Sequence, residues 1–324
     1  MKKGIRLGVA VNKVAVLIEL PTWLGDCVMA TPSIENIVNF YNDVEITFIG
    51  SFVSIESMKN HPKAVKMIVL DKKYSYLYKT AKSLGEFDAF FSFRSSFRTK
   101  FFKFLLSAKN KYQFDKNKYK VGHQVKKYNN FINDSLGIDT SPDKLKLYTN
   151  GHQPSVINHQ PTLGLNPGAS YGSAKRWYPK EFSKVASELS SQYDIVIFGG
   201  SGEVDIASDI ENLLIESGVT NYKNLAGKTT ISELINKVSN LNLFITGDSG
   251  PMHVAAAFQV PTVAIFGPTK DKETSQWMNE KSTIVKKNLD CQPCMQRTCP
   301  LGHHDCMDLI KAVDVLNALK DINP

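Results

Sequence analysis

The stretch from Phe244 to Ala257 constrains the fold of this chain more than any other. Its first residues, Phe-Ile-Thr-Gly, favour a buried strand; Asp-Ser-Gly-Pro favours a turn, and the Ala-rich remainder favours a helix. A helix that begins directly after such a turn points its first free N–H groups at whatever occupies the turn, which is the geometry of an anion site. The alternative is an ordinary strand–helix loop capped by an aspartate or a serine.

An alternation of apolar strands with helical segments extends this pattern along the chain and predicts two parallel α/β domains. A polar, proline-bounded segment interrupts the alternation near residue 150. We therefore expect residues 1–150 to form one domain, residues 151–161 a linker and residues 162–324 a second domain. The predicted strands are 14–18, 45–49, 67–70, 89–93, 163–165, 194–198, 244–247 and 261–266. The predicted helices are 28–40, 179–189, a segment that follows Glu203 and runs to Ser217, 231–238 and the segment after 250.

Composition sets the broad class of the protein. The 324 residues are 42% apolar and 22% charged, as in globular proteins with room for two cores. No apolar run reaches eighteen residues, and Arg6 and Lys13 interrupt the apolar N-terminus, so neither a membrane-spanning helix nor a signal peptide is predicted. The expected location is the cytoplasm, where thiols stay reduced.

The net charge of +8 indicates an anionic partner such as nucleic acid, a nucleotide or an anionic lipid surface. The positive charge is concentrated between residues 94 and 127, where eleven lysines and arginines accompany one acid, Asp115. A solvated surface is the alternative interpretation. The one-sided composition favours a binding surface.

Asp26 is the first candidate for chemistry, because Trp23-Leu24-Gly25-Asp26 follows the first predicted strand. A carboxylate at a strand end can reach into a cleft between domains and deprotonate a hydroxyl as a general base. Gly25 permits a positive φ or a close ligand approach. The alternative is that Asp26 caps a helix.

Two further glycine-rich strand ends follow in the second half. In residues 166–177, Ser170 and Lys175 can meet a diphosphate together with backbone N–H groups, although the Walker spacing is absent. In residues 198–203, Glu203 can bind a ribose diol. A surface loop and a tight turn are the respective alternatives.

Four of the five cysteines cluster near the C-terminus. Their C-x₂-C-x₄-C-x₆-C spacing and the neighbouring His303-His304 allow a zinc site, but the two separated C-x₂-C knuckles of a zinc ribbon are absent. Thiols packed in a structural cap are the alternative, and no metal is the expectation. The cysteines are Cys291, Cys294, Cys299 and Cys306.

Taken in chain order, these segments resemble glycosyltransferase family 9, the lipopolysaccharide core heptosyltransferases, with most likeness to its heptosyltransferase II branch. The likeness covers nearly the whole chain, and the set of motifs is more specific than any one of them. The segments that carry it are 21–26, 166–177, 224–229, 248–257, 266–269 and 299–307.

The resemblance implies an α/β GT-B fold, with two Rossmann-like doubly wound domains that face each other across a cleft. It implies an inverting transfer of L-glycero-D-manno-heptose from ADP-heptose to the heptose/Kdo inner core of lipopolysaccharide or lipooligosaccharide. The donor would bind the C-terminal domain and the acceptor the N-terminal one. No cofactor is implied beyond the ADP-heptose substrate, since Lys175 and two helix N-termini can neutralise the departing ADP.

The resemblance also assigns roles to individual residues. Asp26 is implied as the general base, and Lys175 and Ser170 as contacts of the diphosphate. Glu203 is the nearest candidate for the donor ribose. The remaining implied donor-binding residues are Asp248, Ser249, Gly250, Met252 and His253. The implied acceptor-binding residues are Gly25, Arg94, Arg98 and Lys100.

The partners expected on this basis are an ADP-sugar donor, an anionic lipid A–core acceptor and the cytoplasmic surface of the inner membrane, with the chain acting as a monomer. A GT-B transferase or epimerase that uses another nucleotide sugar is the alternative; an epimerase would not need the basic acceptor side. A nucleic-acid-binding protein would explain the charge. It would not explain two glycine-rich strand ends aimed at one cleft, and no aromatic-interleaved RNA motif is present.

Overall fold

The N-terminal half of the chain forms a five-stranded parallel sheet in the order β3-β2-β1-β4-β5. The computed structural model describes residues 13–71, 73–149, 151 and 160–322. The strands are β1 (Val14–Glu19), β2 (Val44–Gly50), β3 (Ala64–Val69), β4 (Glu86–Ser92) and β5 (Ser107–Gln113). The helices are α1 (Leu24–Met29), α2 (Thr31–Tyr41), α3 (Phe52–Ser57), α4 (Tyr74–Ser83), α5 (Phe97–Leu105) and α6 (Gln124–Leu136).

The C-terminal half forms a six-stranded parallel sheet in the order β11-β10-β9-β6-β7-β8. Its strands are β6 (Thr162–Asn166), β7 (Asp194–Ile197), β8 (Tyr222–Asn224), β9 (Leu243–Gly247), β10 (Thr262–Ile265) and β11 (Ser282–Val285). Its helices are α7 (Pro179–Leu189), α8 (Val204–Glu216), α9 (Ile231–Val238), α10 (Gly250–Ala257), α11 (Asp271–Thr274), α12 (Asp305–Asp308) and α13 (Ala312–Ala318).

Both sheets are doubly wound, which confirms the predicted fold class. Strand order reverses between β1 and β4 in the first sheet and between β6 and β9 in the second. In open α/β sheets, ligands bind outside the carboxyl ends of the strands at such switch points. The loops that follow these four strands are therefore the expected ligand-binding region.

The predicted strands and helices agree with the structure where a local signal was strong. Helices α7 and α9 have the predicted bounds: α7 has proline in its first turn, and Thr230 and Glu233 cap α9 reciprocally. The eight predicted strands lie within about three residues of their predicted ends, whereas β5, β8 and β11 were not predicted. The predicted linker falls largely on residues 152–159, outside the described residues.

The prediction of one helix over residues 28–40 is wrong. The structure has two helices, α1 and α2, that meet at Ala30. Pro32 lies in the first turn of α2, and its missing N–H cannot continue a helical hydrogen-bond ladder across that point. The Thr31 hydroxyl instead donates to the Val28 carbonyl at 2.7 Å.

The two domains are packed together along one side of the cleft. A single apolar cluster contains Leu24 and Val28 of α1 together with Val254 and Ala255 of α10. An ion pair of 2.5 Å between Lys127 on α6 and Glu273 on α11 adds a polar contact between the domains. These contacts bring the carboxyl edge of one sheet toward that of the other.

None of the helices in the described ranges combines the length and the apolar character that crossing a membrane requires.

Gly164 in the middle of β6 provides a test of the packing of the second sheet. A Cβ at this position would overlap the Leu241 side chain and lie 2.8 Å from the Phe244 ring. We expect Gly164→Ala to lower the free energy of unfolding by about 1–3 kcal/mol, because an overpacked core must shift to relieve the overlap. Gly202→Ala is the matched control, since a Cβ there meets no atom within 4 Å. Urea unfolding midpoints measure both; equal midpoints would contradict the packing described.

Candidate active site

Asp26 lies in the first turn of α1, directly beyond the carboxyl end of β1. The residue at the N-cap is Trp23, so the alternative that Asp26 itself caps the helix is wrong. The Asp26 side chain is half-buried and accepts no hydrogen bond from any residue that the structure describes. Burial raises its pKa to about 6; the Lys175 ammonium opposes this rise and the Asp248 carboxylate adds to it. A carboxylate of the N-terminal domain therefore lies within electrostatic reach of two charges of the C-terminal domain.

Lys175 and Asp248 form a buried ion pair beside Asp26. The Lys175 ammonium lies 2.6 Å from Asp248 Oδ2, and the Thr269 hydroxyl donates to the same oxygen at 2.6 Å. The ammonium also lies 4.7 Å from the centre of the Tyr171 ring. Lys175 follows β6 and Asp248 follows β9, so the pair sits at the switch point of the second sheet.

The N-terminus of α10 faces the same point. Its first-turn amides, including those of Gly250 and Met252, have no acceptor within the helix. The Asn166 amide, at the end of β6, donates to the hydroxyls of Ser249 and Thr246 at 3.2 and 3.3 Å and so holds the N-cap serine in place. Positive helix-end charge and an ammonium thus converge where the predicted anion site lies.

His253 brings the two domains into close contact at Gly25. A Cβ on Gly25 would lie 2.8 Å from His253 Cδ2, so the glycine is required by this approach. Burial lowers the pKa of His253 to about 4, which makes the imidazole neutral at pH 7. His253 Nδ1 is buried and has no hydrogen-bond partner in the described part of the chain.

Three further residues, Glu203, Ser170 and Met252, were predicted to contact the donor. The Glu203 carboxylate accepts from the Gly200 N–H at 2.7 Å and packs against Gly168, whereas Ser170 is exposed. The Met252 side chain is buried against Ala264 and Phe266, which leaves only its backbone for a ligand. The roles of these side chains stay predictions.

The predicted acceptor residues lie at the carboxyl edge of the first sheet. Arg94, just beyond β4, pairs at 3.4 Å with Glu19, the buried last residue of β1. Arg98, on α5, donates to the Asp71 carbonyl, and Lys100 is exposed on the same helix. Arg94 is therefore engaged in holding the switch point together.

The four clustered cysteines surround a small cavity of about 20 Å³, next to His303 and His304. Burial, together with the other three cysteines, raises the pKa of Cys306 to about 11. Over the described ranges, no three His, Cys, Asp or Glu side chains are grouped as ligands of a metal ion. The interpretation as thiols packed in a cap stays a prediction.

Thr269, Tyr171 and Asn166 belong to the site although their roles were not predicted from the sequence. All three lie in segments that carry the family resemblance, and position in those segments was the available signal. Their roles, as donor to Asp248, platform for Lys175 and support for Ser249, depend on contacts between loops distant in sequence.

Comparison with known proteins gives consistent similarities. The family model described as "Glycosyltransferase family 9 (heptosyltransferase)" matches residues 91–304. The chain is 45% identical over 313 residues to lipooligosaccharide heptosyltransferase 2 of Campylobacter jejuni, covering 95% of this chain and 98% of the relative.

Two solved structures from Escherichia coli share the fold. ADP-heptose LPS heptosyltransferase II superposes with a TM-score of 0.79 at 20% identity, covering 95% of this chain and 98% of the other. Heptosyltransferase WaaC with ADP-2-deoxy-2-fluoro heptose superposes with a TM-score of 0.73 at 12% identity, covering 95% and 99% of the two chains. The predicted GT-B architecture is confirmed by these superpositions.

The coupling between Asp26 and Lys175 can be measured by carbon NMR titration of aspartate carboxyls. We expect Asp26 to titrate near pH 6, and Lys175→Met to raise its pKa further, because the ammonium stabilises the carboxylate. Lys184→Met, on the exposed side of α7, is the control and should leave the titration unchanged. An Asp26 pKa that does not respond to the loss of Lys175 would contradict the placement of the two groups.

Proposed function

Because the chain belongs to glycosyltransferase family 9, we propose that it transfers heptose from ADP-heptose to the heptose/Kdo inner core of lipopolysaccharide or lipooligosaccharide. The observation that carries this proposal is the position of Asp26, from one domain, beside the Lys175–Asp248 pair of the other. A base and an anion site on opposite sides of one cleft suit a transfer from a phosphorylated donor to a hydroxyl. The names of the relatives support heptose as the sugar and lipooligosaccharide or lipopolysaccharide as the class of acceptor.

The donor diphosphate would bind between Lys175 and the N-terminus of α10. As the bond from the anomeric carbon to the phosphate oxygen breaks, that oxygen gains negative charge and interacts more strongly with the ammonium. Asp248 and Thr269 hold the ammonium at this point before the donor arrives. Since Lys175 and the N-terminus of α10 supply the positive charge, the proposal requires no divalent ion.

Asp26 would act as the general base. Its pKa of about 6 leaves most molecules ionised at pH 7 and matches the carboxylate to proton transfer near neutrality. The acceptor oxygen attacks the anomeric carbon, its proton passes to Asp26, and the electron pair of the broken bond leaves with ADP. A single displacement from the face opposite the departing ADP inverts the anomeric configuration.

The acceptor would lie along the carboxyl edge of the first sheet, where α5 begins with Arg98 and Lys100 in its first turns. The guanidinium fork of arginine matches carboxylates and phosphates, which the inner core and lipid A carry. Arg94 would contribute through its pair with Glu19, by keeping this edge ordered. An epimerase would not need such an edge.

Turnover measurements with a panel of donors test the function. With an inner-core acceptor, we expect ADP-heptose to support transfer, and ADP-mannose, UDP-glucose and GDP-mannose to do so much more slowly. Equal use of UDP-glucose would overturn the choice of donor.

The same assay tests the base. We expect Asp26→Asn to lower kcat about 10²- to 10⁴-fold, because the amide cannot accept the proton, and to leave ADP affinity nearly unchanged. The wild-type rate should fall about tenfold per pH unit below pH 6, where Asp26 becomes protonated, and level off above it. Asp43→Asn, at an exposed acid of the same domain, is the matched control. Turnover of Asp26→Asn within about threefold of wild type would contradict this role.

A further inference from the structure

Helices α4 and α5 lie side by side on one face of the N-terminal sheet. Their inner sides are buried: Leu77 and Ala81 of α4 and Phe102 of α5 join the same apolar cluster as Phe90 of β4. This packing accounts for the stability of the two helices. It leaves their outer sides without a partner in the described parts of the chain.

The outer sides carry an aromatic face, which we define as Tyr74, Tyr78, Phe97, Phe101 and Phe104. Phe97 and Phe104 are 76% and 83% exposed, and Tyr74 and Tyr78 are each 50% exposed. The rings of Tyr74 and Phe101 are in contact, with centroids 5.2 Å apart, and join the two helices. Spacing by four and three residues along α5 places Phe97, Phe101 and Phe104 in one row.

Lysines border the aromatic face. Neither α4 nor α5 contains an aspartate or glutamate. In the described ranges, the lysines at the border form no ion pair with a carboxylate. These lysines are Lys79, Lys82, Lys100 and Lys103.

The aromatic face adjoins the edge at which the acceptor is proposed to bind. Both helices begin at the carboxyl edge of the sheet, and Arg98 of α5 donates to the Asp71 carbonyl in the loop before α4. Phe97 precedes that arginine, so one end of the aromatic face lies beside the mouth of the cleft.

We propose that the aromatic face of α4 and α5 docks on an anionic lipid bilayer. Aromatic rings partition into the interfacial region of a bilayer, and lysines beside them are attracted to anionic headgroups. A second copy of the chain fits less well, because a two-fold contact through this face would set lysine against lysine. The inference deepens the proposed function: such docking would hold the mouth of the cleft near an acceptor anchored in the same bilayer.

Sedimentation with vesicles tests the docking without donor or acceptor. We expect the full chain to bind phosphatidylglycerol vesicles, to bind phosphatidylcholine vesicles weakly, and to release as salt is raised, because headgroup attraction is screened. Phe97→Ser combined with Phe104→Ser should weaken binding at least about tenfold. Lys79→Gln combined with Lys82→Gln should weaken it about fivefold per lysine. Ile215→Ser with Val313→Ser, which removes two exposed apolar side chains from the other domain, is the control.

The outcomes separate this inference from the proposed function. Loss of vesicle binding in the phenylalanine variant, with unchanged turnover on a water-soluble acceptor fragment, would support docking through this face. Wild-type protein that fails to bind anionic vesicles, or equal binding by the phenylalanine and control variants, would overturn the docking and leave the transfer reaction untouched. Self-association of the wild type that the phenylalanine substitutions abolish, without vesicle binding, would assign the face to a second copy instead.

Discussion

The buried ion pair between Lys175 and Asp248 is the interaction on which the arrangement of the site depends. It joins the loop after β6 to the turn after β9, and the Thr269 hydroxyl donates a further hydrogen bond to the same carboxylate oxygen. Burying two charges is costly, and a buried pair persists only where geometry and further hydrogen bonds compensate. The pair keeps an ammonium at the N-terminus of α10, in the place where a phosphate would need it.

The close approach of α1 to α10 brings the second half of the chemistry to this point. Glycines at positions 25 and 250 allow the two helix N-termini to approach, since a Cβ on either would press against His253 or Leu24 respectively. Burial raises the pKa of Asp26 to about 6, and both charges of the ion pair act on it: Lys175 lowers the pKa and Asp248 raises it. The raised pKa of the proposed base therefore results from the packing of the two domains against each other and not from any single loop.

The sequence predicted the parts of the fold that depend on local signals. The apolar run of β1, the proline of α7 and the capping residues of α9 each favour their element without help from tertiary contacts. Helix α4 was not predicted, because Tyr74-Ser75-Tyr76-Leu77-Tyr78 alternates like a strand and only packing of Leu77 and Ala81 on the sheet decides for helix. Likewise Asp26 and Lys175 were predicted as candidates, whereas their mutual coupling and the roles of Thr269 and Tyr171 depend on tertiary contacts. Pairing of Arg94 with Glu19 could not be read from the basic stretch alone.

Calorimetric titration of Lys175→Met with ADP and with adenosine tests the central claim most directly, that a diphosphate binds at the Lys175–α10 corner opposite Asp26. Adenosine lacks the phosphates, so its affinity reports whether the variant is folded and the rest of the nucleotide site is intact. The account predicts that ADP affinity falls about tenfold or more while adenosine affinity stays the same, since a charge-assisted contact is worth about 1.5–3 kcal/mol. Equal losses for the two ligands, or undiminished ADP binding, would place the diphosphate elsewhere and contradict it.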